Sequence, residues 1–234
     1  MHMKTFFTAL LIGLSVSTLF AQKLSVQGDA SVAVKPTETT INLNVESKSA
    51  TYPGAVQDMI RRVDQLSKDL KKLGFKDTDI ITSNFNVNQD RIYLKNMWKD
   101  SGFVATQNLT VSFAQNKEKL LDVLNAATKS LAKPAISLSF GLDAKRKSEV
   151  KNELIKLAVE DAKRKADIIV AASGYEITGI MEIKYGQSNA GPQPLHEVAN
   201  YAAFSKVADV EISNFEAADL KYNESISIVY SIDK

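Results

Sequence analysis

The chain has 234 residues, with 29 Lys and Arg against 27 Asp and Glu, 44% hydrophobic residues and no cysteine. The missing cysteines exclude disulfides, thiol catalysis, thiolate metal sites and a lipid-carrying cysteine. The nearly balanced charge argues against nucleic acid as a partner, because phosphate backbones are bound by strongly basic surfaces.

The first 21 residues are typical of a secretory signal peptide. They place Lys4 before an apolar run over 6–14 and end on small residues before Gln22. The run is shorter than the roughly 20 residues that a spanning helix needs. We expect cleavage after Ala21, with an uncleaved anchor as the alternative, and no transmembrane helix in the remaining 213 of 234 residues.

Two segments near the start of the predicted domain, residues 22–234, alternate with a period of two. The first carries Val26, Val32 and Val34, and the second carries Ile41 and Leu43. Such alternation predicts strands with one buried face. The intervening Lys35-Pro36-Thr37 predicts a turn, so we expect an opening hairpin.

The next segments predict a helix and then two long strands. Apolar residues recur at three- and four-residue steps from Val56 to Leu73, and Gly74 is a typical helix end. Strands are predicted over Ile80–Leu94 and Phe103–Phe113, joined around Asn96–Gly102, where Asp100, Ser101 and Gly102 favour a turn. The many Asn, Gln and Thr residues in these strands indicate a face that is wet or meets another polar surface.

Two further helices are predicted on either side of a strand. Asn116 and Asp143 are placed to cap them. Apolar stripes identify the inward faces, with alanines at four-residue spacing that would let the last helix approach a sheet closely. The two stripes comprise Leu120, Leu124, Ala127 and Leu131, then Val150, Leu154, Leu157, Ala158, Ala162, Ala166 and Ile169.

The C-terminal part predicts three more strands, around Ile177–Tyr185, Val210–Ile212 and Ile226–Ile232, with a loop over Gly186–Pro194. The order is therefore ββαββαβαβββ. Strands that are adjacent in sequence favour antiparallel pairing. We predict an α+β fold with a mainly antiparallel sheet and three amphipathic helices packed on it.

Motifs that carry chemistry are missing. His196 is the one histidine after the leader, so it cannot build a zinc site or a catalytic dyad with a second histidine. The chain has neither a Gly-x-Ser-x-Gly elbow nor a glycine-rich phosphate-binding pattern. We therefore predict no catalytic residue, no metal site and no cofactor, and expect a protein that is not an enzyme.

Two groups of residues are candidates for binding. Tyr93, Met97, Trp98 and Phe103 lie around the predicted end of the long strands. Tryptophan is enriched in interface anchors, although Trp98 could instead fold back onto its own domain. A second candidate is a ligand loop near Gly186–Pro194, with His196 and Tyr201.

Several positions together resemble the SIMPL-domain family. The resemblance runs from Val26-Gln27-Gly28 through Ile136–Leu142 to Gly179-Ile180, and covers nearly all of the chain after the leader. Its motifs are mostly structural, and comprise Gly28, Pro36, Gly74, Thr82, Gly102, Asn108, Gly174 and Gly179. The resemblance implies the fold more than any chemistry.

The resemblance also implies a cellular setting. Bacterial members are exported to the periplasm or associate with the outer membrane, some are linked to oxidative stress, and some form ring-like or channel-like oligomers. No catalytic residues carry over. Our hypothesis is an exported homo-oligomer that serves as a scaffold or channel and contributes to oxidative or envelope stress tolerance. The alternative is a monomeric periplasmic module that binds a small ligand or an envelope protein.

Overall fold

The computed structural model describes residues 22–186 and 217–234. Within these ranges the elements are β1 Gln22–Val34, β2 Glu38–Ser49, α1 Tyr52–Lys72, β3 Ile80–Leu94, β4 Met97–Ala114, α2 Lys117–Lys129, β5 Ala135–Gly141, α3 Ala144–Ser173, β6 Glu176–Lys184 and β7 Leu220–Asp233. A short 3-10 turn at Asp77–Asp79 precedes β3. The strand predicted around Val210–Ile212 lies outside the described residues.

All pairing among the described strands is antiparallel, and the predicted α+β class with three helices is confirmed. The described strands form two sheets, a smaller one ordered β1-β7-β6 and a larger one ordered β3-β4-β2-β5. The predicted opening hairpin is wrong, since β1 pairs with β7 while β2 pairs with β4 and β5. Alternation identifies a strand but does not identify its neighbour, and the link at 35–37 carries the chain between sheets.

Thr37 ties the two sheets and α3 together. Its backbone N–H donates to Gly141 O at 2.9 Å, and its carbonyl accepts from Gln115 N at 2.9 Å. Its hydroxyl donates to the Asp143 carboxylate at 2.7 Å and accepts from Asp143 N at 2.9 Å. The same carboxylate accepts from Arg146 N at 3.0 Å and so caps α3, as predicted. These bonds keep the pKa of Asp143 below its usual value, the Arg146 N–H contributing most.

The core of the larger sheet lies between β2, β4 and the helices α1 and α2. Ile41, Leu43 and Val45 are fully buried on the helix-facing side of β2. Met59, Leu66 and Leu70 of α1 and Val123 of α2 pack in the same cluster. Asn116 caps α2 through Lys119 N, as predicted. The predicted stripe of α2 is too long, because Leu131 lies beyond the end of the helix and is 73% exposed.

The smaller sheet packs against α3 through small residues. Ala158, Ala162 and Ala166 are fully buried against Val26, Ile226 and Ile228. This confirms the close approach that the alanine spacing predicts. The predicted inner stripe is too wide, since Leu157 and Ile169 are 40% and 43% exposed.

Gly28 marks the closest approach of α3 to β1. A Cβ at this position would lie 1.9 Å from Ala158 O and 2.7 Å from Ala162 Cβ. Polar contacts flank it, since Asp29 N donates to Asp161 Oδ2 at 3.0 Å and Lys165 Nζ donates to Gln27 O at 2.9 Å. Only glycine fits between strand and helix here.

The connection between β3 and β4 is tighter than predicted. It is a two-residue turn at Lys95 and Asn96, with φ of 48° and 60°, the positive values that a type I′ hairpin turn requires. The turn predicted at Asp100-Ser101-Gly102 is wrong, because these residues belong to β4. Gly102 lies beside a register shift of the two strands, where a Cβ would be 2.3 Å from Ser49 O. Glycine is therefore needed here for a β-bulge and not for a turn.

Gly28→Ala is expected to lower the free energy of unfolding by about 3 kcal/mol or more, because backbone atoms of α3 must move to admit the methyl group. Urea unfolding followed by circular dichroism measures the change. Gly141→Ala is the matched control, since nothing lies within 4 Å of the Cβ position there. Equal stability of the two variants would contradict the close-packing explanation.

Thr39→Val is expected to raise the free energy of unfolding by about 1 kcal/mol, because it removes an unsatisfied buried hydroxyl at nearly constant volume. Thr39 is 1% exposed and its Oγ1 has no hydrogen-bond partner. Thr40→Val is the control, since the Thr40 hydroxyl is hydrogen-bonded to Ser112 Oγ at 2.9 Å. A lower melting temperature for Thr39→Val than for the unchanged chain would show that this hydroxyl is satisfied in solution.

Candidate functional site: the β3–β4 ribbon

The long hairpin of β3 and β4 extends beyond the rest of the larger sheet. β2 pairs with β4 only as far as Phe103, opposite Ser49. Residues 90–102 continue past this point as a two-stranded segment, which we call the ribbon. Because two paired strands bury little surface, the side chains of the ribbon remain open to contact.

Apolar side chains cluster at the tip of the ribbon. Tyr93 and Trp98 face each other across the strands, with ring centroids 5.3 Å apart. The exposed large apolar residues of the tip are Ile92, Tyr93, Leu94, Met97 and Trp98, between 42% and 69% exposed. Trp98 is the most exposed of them, so the alternative in which it folds back onto its own domain is wrong.

Phe103 occupies a different place from the other predicted interface residues. It is half-buried at the root of the ribbon and meets Tyr52 edge to face, with centroids 5.7 Å apart. Tyr52 is the first residue of α1. The pair therefore fixes the direction in which the ribbon leaves the domain, while Tyr93, Met97 and Trp98 form the tip.

The charges of the ribbon are mixed in sign. Arg91 Nε lies 3.2 Å from Asp100 Oδ1, and Lys48 Nζ lies 3.6 Å from Asp90 Oδ2. Exposed pairs of this kind contribute little to stability. Residues 90–102 carry three basic and two acidic side chains, a net charge of +1, with Lys95 and Lys99 beside the tip.

β3 is also an edge strand. It spans 15 residues, and in the described part of the chain β4 is its one partner in the larger sheet. Its outer N–H and C=O groups are thus available to another strand, which is how exposed edges recruit partners. The apolar tip and the open edge belong to the same hairpin.

Most of the remaining predicted residues have structural positions, and two lie outside the described residues. His196 and Tyr201, the candidate ligand loop, lie outside the described residues. Gly28 and Gly102 occupy sterically closed positions, Pro36 is buried beside Thr37, and Gly74 and Gly174 follow the ends of α1 and α3. Gly179 adjoins a register shift of β6. Thr82 of β3 lies opposite Leu109 of β4, and Asn108 of β4 lies opposite Ser83 of β3. Most of these positions serve the fold.

Residues 22–186 and 217–234 contain no group of three or more His, Cys, Asp or Glu that could hold a metal ion. No helix in these ranges is long and apolar enough to cross a membrane.

A family model extends this description. The model for SIMPL, a protein of unknown function (DUF541), matches residues 24–230. The chain belongs to the SIMPL family. The suspected resemblance is thereby confirmed, and the matched residues run from β1 to β7 of this SIMPL domain. No curated protein matches the chain.

Asp58 anchors α1 of the SIMPL domain to the strand beside the ribbon. Its carboxylate accepts from the buried Ser47 hydroxyl at 2.7 Å and from Arg62 Nε at 2.6 Å, and it also pairs with Arg61. The Ser47 hydroxyl, followed by the two arginines, lowers the pKa of Asp58 to about 2. Protonation would break the contacts that hold α1 near the ribbon root.

The lowered pKa of Asp58 predicts a loss of stability in acid. A depressed carboxyl pKa contributes stability above the ordinary value of 3.8, and that stability is lost as pH falls through about 2. Asp58→Asn is expected to cost about 1 kcal/mol at pH 7 and to flatten the pH dependence of the melting temperature between pH 4 and 2. Asp64→Asn, on an exposed ion pair with Lys68, is the control. An unchanged acid limb in Asp58→Asn would contradict this role.

Proposed function

We propose that this SIMPL-family protein is an exported, non-enzymatic envelope protein that assembles into a homo-oligomer, as a scaffold or channel-like structure. Its location would be the periplasm, including the periplasmic side of the outer membrane. The observation that carries the proposal is the apolar tip of the ribbon, where Tyr93, Met97 and Trp98 stand exposed on a hairpin that projects from its sheet.

The tip has the composition of an interface anchor. Exposed apolar clusters on soluble surfaces mark contact sites, and Trp and Tyr supply most of the binding energy in such contacts. A second copy of the chain is the partner that is always present. With 29 basic and 27 acidic residues in the sequence, copies approach each other without strong net repulsion.

The ribbon also favours ordered assembly over loose adhesion. Phe103 and Tyr52 hold its root, so the tip keeps one direction relative to α1. The open edge of β3 offers main-chain hydrogen bonds beside the apolar contact. A tip that contacts a different surface of the next copy would generate a ring or an open array, whereas tip-to-tip contact would give a dimer.

The displaced pKa values support a non-enzymatic role. Asp58, Asp143 and Asp161 are lowered by hydrogen bonds and ion pairs that fasten helices to strands. Burial raises the pKa of Tyr222 and Tyr230, which lie in the core beneath α3. Catalytic sites gather perturbed groups in one cleft, whereas these groups are scattered through the packing.

The proposed contribution to oxidative or envelope stress tolerance would be indirect. The chain lacks cysteine, so it cannot reduce peroxide through a thiol. Protection would come through the assembly itself. An envelope protein is a second candidate partner, and it becomes the preferred one if the protein is a monomer.

Trp98→Ala is expected to weaken self-association by about tenfold or more, because it removes the most exposed aromatic anchor of the tip. Size exclusion coupled to light scattering, on protein that begins at Gln22, gives the mass across a concentration series. We expect a discrete oligomer for the unchanged chain and a shift to smaller species for the variant.

Leu131→Ala is the matched control, because Leu131 is an equally exposed apolar residue away from the ribbon. It should assemble like the unchanged chain. A strict monomer at micromolar concentration would refute homo-oligomer formation and favour the monomeric binding module. An oligomer that Trp98→Ala leaves intact would remove the ribbon from the interface.

A further inference from the structure

Among residues 22–186 and 217–234, no helix covers the outer face of the larger sheet. α1 and α2 pack against one side, where Ile41, Leu43 and Leu109 are buried. The alternate side chains point the other way, and they are uncharged and polar over much of β2 and β4. They comprise Thr40, Asn42, Asn44, Thr106, Asn108, Thr110 and Ser112.

A bulge in β3 forms a pocket at one side of this face. The register of β3 and β4 shifts between Ser83 and Asn86, and Asn84 adopts φ of 56° there. Asparagine tolerates this left-handed conformation better than most residues. The bulge shapes a pocket of about 480 Å³ lined by Asn44, Asn84, Phe85, Asn86, Thr106 and Asn108.

The amides of this pocket are free to bind a ligand. In the described part of the chain, the side chains of Asn44, Asn84, Asn86 and Asn108 make no hydrogen bond within the protein. Their neighbour Asn42, on the same face but outside the pocket, is engaged by the Thr110 hydroxyl at 2.8 Å. The pocket therefore gathers unpaired amides where the adjoining face pairs its polar groups.

We propose that this pocket is a binding site for a neutral saccharide. Each asparagine amide offers two donors and an acceptor in one plane, which matches the adjacent hydroxyl groups of a sugar ring. Phe85 is 50% exposed at the rim and supplies an apolar surface for the C–H face of a pyranose. The amides would hydrogen-bond to the sugar hydroxyls, and the phenyl ring of Phe85 would add apolar contact area.

The lining excludes other common ligand classes. None of the six lining residues is charged, so a phosphate, a carboxylate or a metal ion would find no partner charge among them. A nucleotide is disfavoured for the same reason. The site is an open depression, since Asn44, Asn84, Phe85 and Asn86 are exposed, so a saccharide would lie along the surface of the sheet.

The site is held in place by strand pairing. Its residues come from β2, β3 and β4, and Asn44 lies directly opposite Asn108 in the ladder. Pairing fixes the backbone at Asn44, Asn86 and Asn108 before a ligand arrives, which lowers the entropic cost of binding. Asn84 and Phe85 lie in the bulge, where they have no partner in the ladder of β3 and β4. The site does not use the apolar tip at Trp98, and it goes beyond the proposed assembly.

The test is a calorimetric titration of the full chain with maltotriose, cellotriose and triacetylchitotriose, beside glucuronate and glucose 6-phosphate as charged probes. We expect at least one neutral trisaccharide to bind at or below about 1 mM and the charged probes not to bind. Asn44→Asp and Phe85→Ala should each weaken binding by about fivefold or more, the range of a lost hydrogen bond or ring contact.

Asn42→Ala is the matched control and should keep the affinity of the unchanged chain. The proposal is overturned if no neutral probe binds up to about 10 mM, if the charged probes bind equally well, or if Asn42→Ala weakens binding as much as Asn44→Asp does. Trp98→Ala should retain saccharide binding even if it loses assembly, so the two proposals fail separately. Circular dichroism of Asn44→Asp, an exposed and nearly isosteric change, verifies that the fold is kept.

Discussion

The hydrogen bonds around Thr37 are the constraint on which the arrangement of the two sheets depends. This residue uses its N–H, its carbonyl and its hydroxyl to hold Gly141, Gln115 and Asp143. Without these bonds, β1 and β2 would be joined by a free linker instead of a fixed corner. The bond to Asp143 also sets where α3 begins, and α3 in turn must begin there for its alanines to meet Gly28.

The corner separates two kinds of surface. α3 covers one face of the smaller sheet so closely that its backbone meets β1 at Gly28. This packing leaves no room for a ligand between helix and strand. The larger sheet is closed on one face by α1 and α2, and no described helix covers its other face. Both proposed binding sites therefore lie on the larger sheet. The saccharide site is on its polar face, and the assembly site is on the ribbon that extends beyond β2.

Local features of this protein were predictable from its residues. Asn116 and Asp143 cap the helices at which they were placed, because a cap depends on a side chain and the backbone three residues on. The apolar stripe of α1 and the close approach implied by Ala158, Ala162 and Ala166 were also readable. The Asn-rich run of β3 was the one sequence signal for the pocket. Its pattern could not predict that Asn44 of β2 and Asn108 of β4 lie beside Asn84 of β3.

The sequence by itself determined the α+β class, most helix ends, the family and the absence of thiol chemistry, since each depends on neighbours along the chain or on composition. Only the tertiary structure decided that β1 and β2 belong to different sheets, that the hairpin turns at Lys95-Asn96, and that Trp98 stands exposed while Phe103 packs on Tyr52. The physical reason is that pairing partners and exposure depend on contacts between residues that are far apart in sequence, which alternation and propensity do not encode.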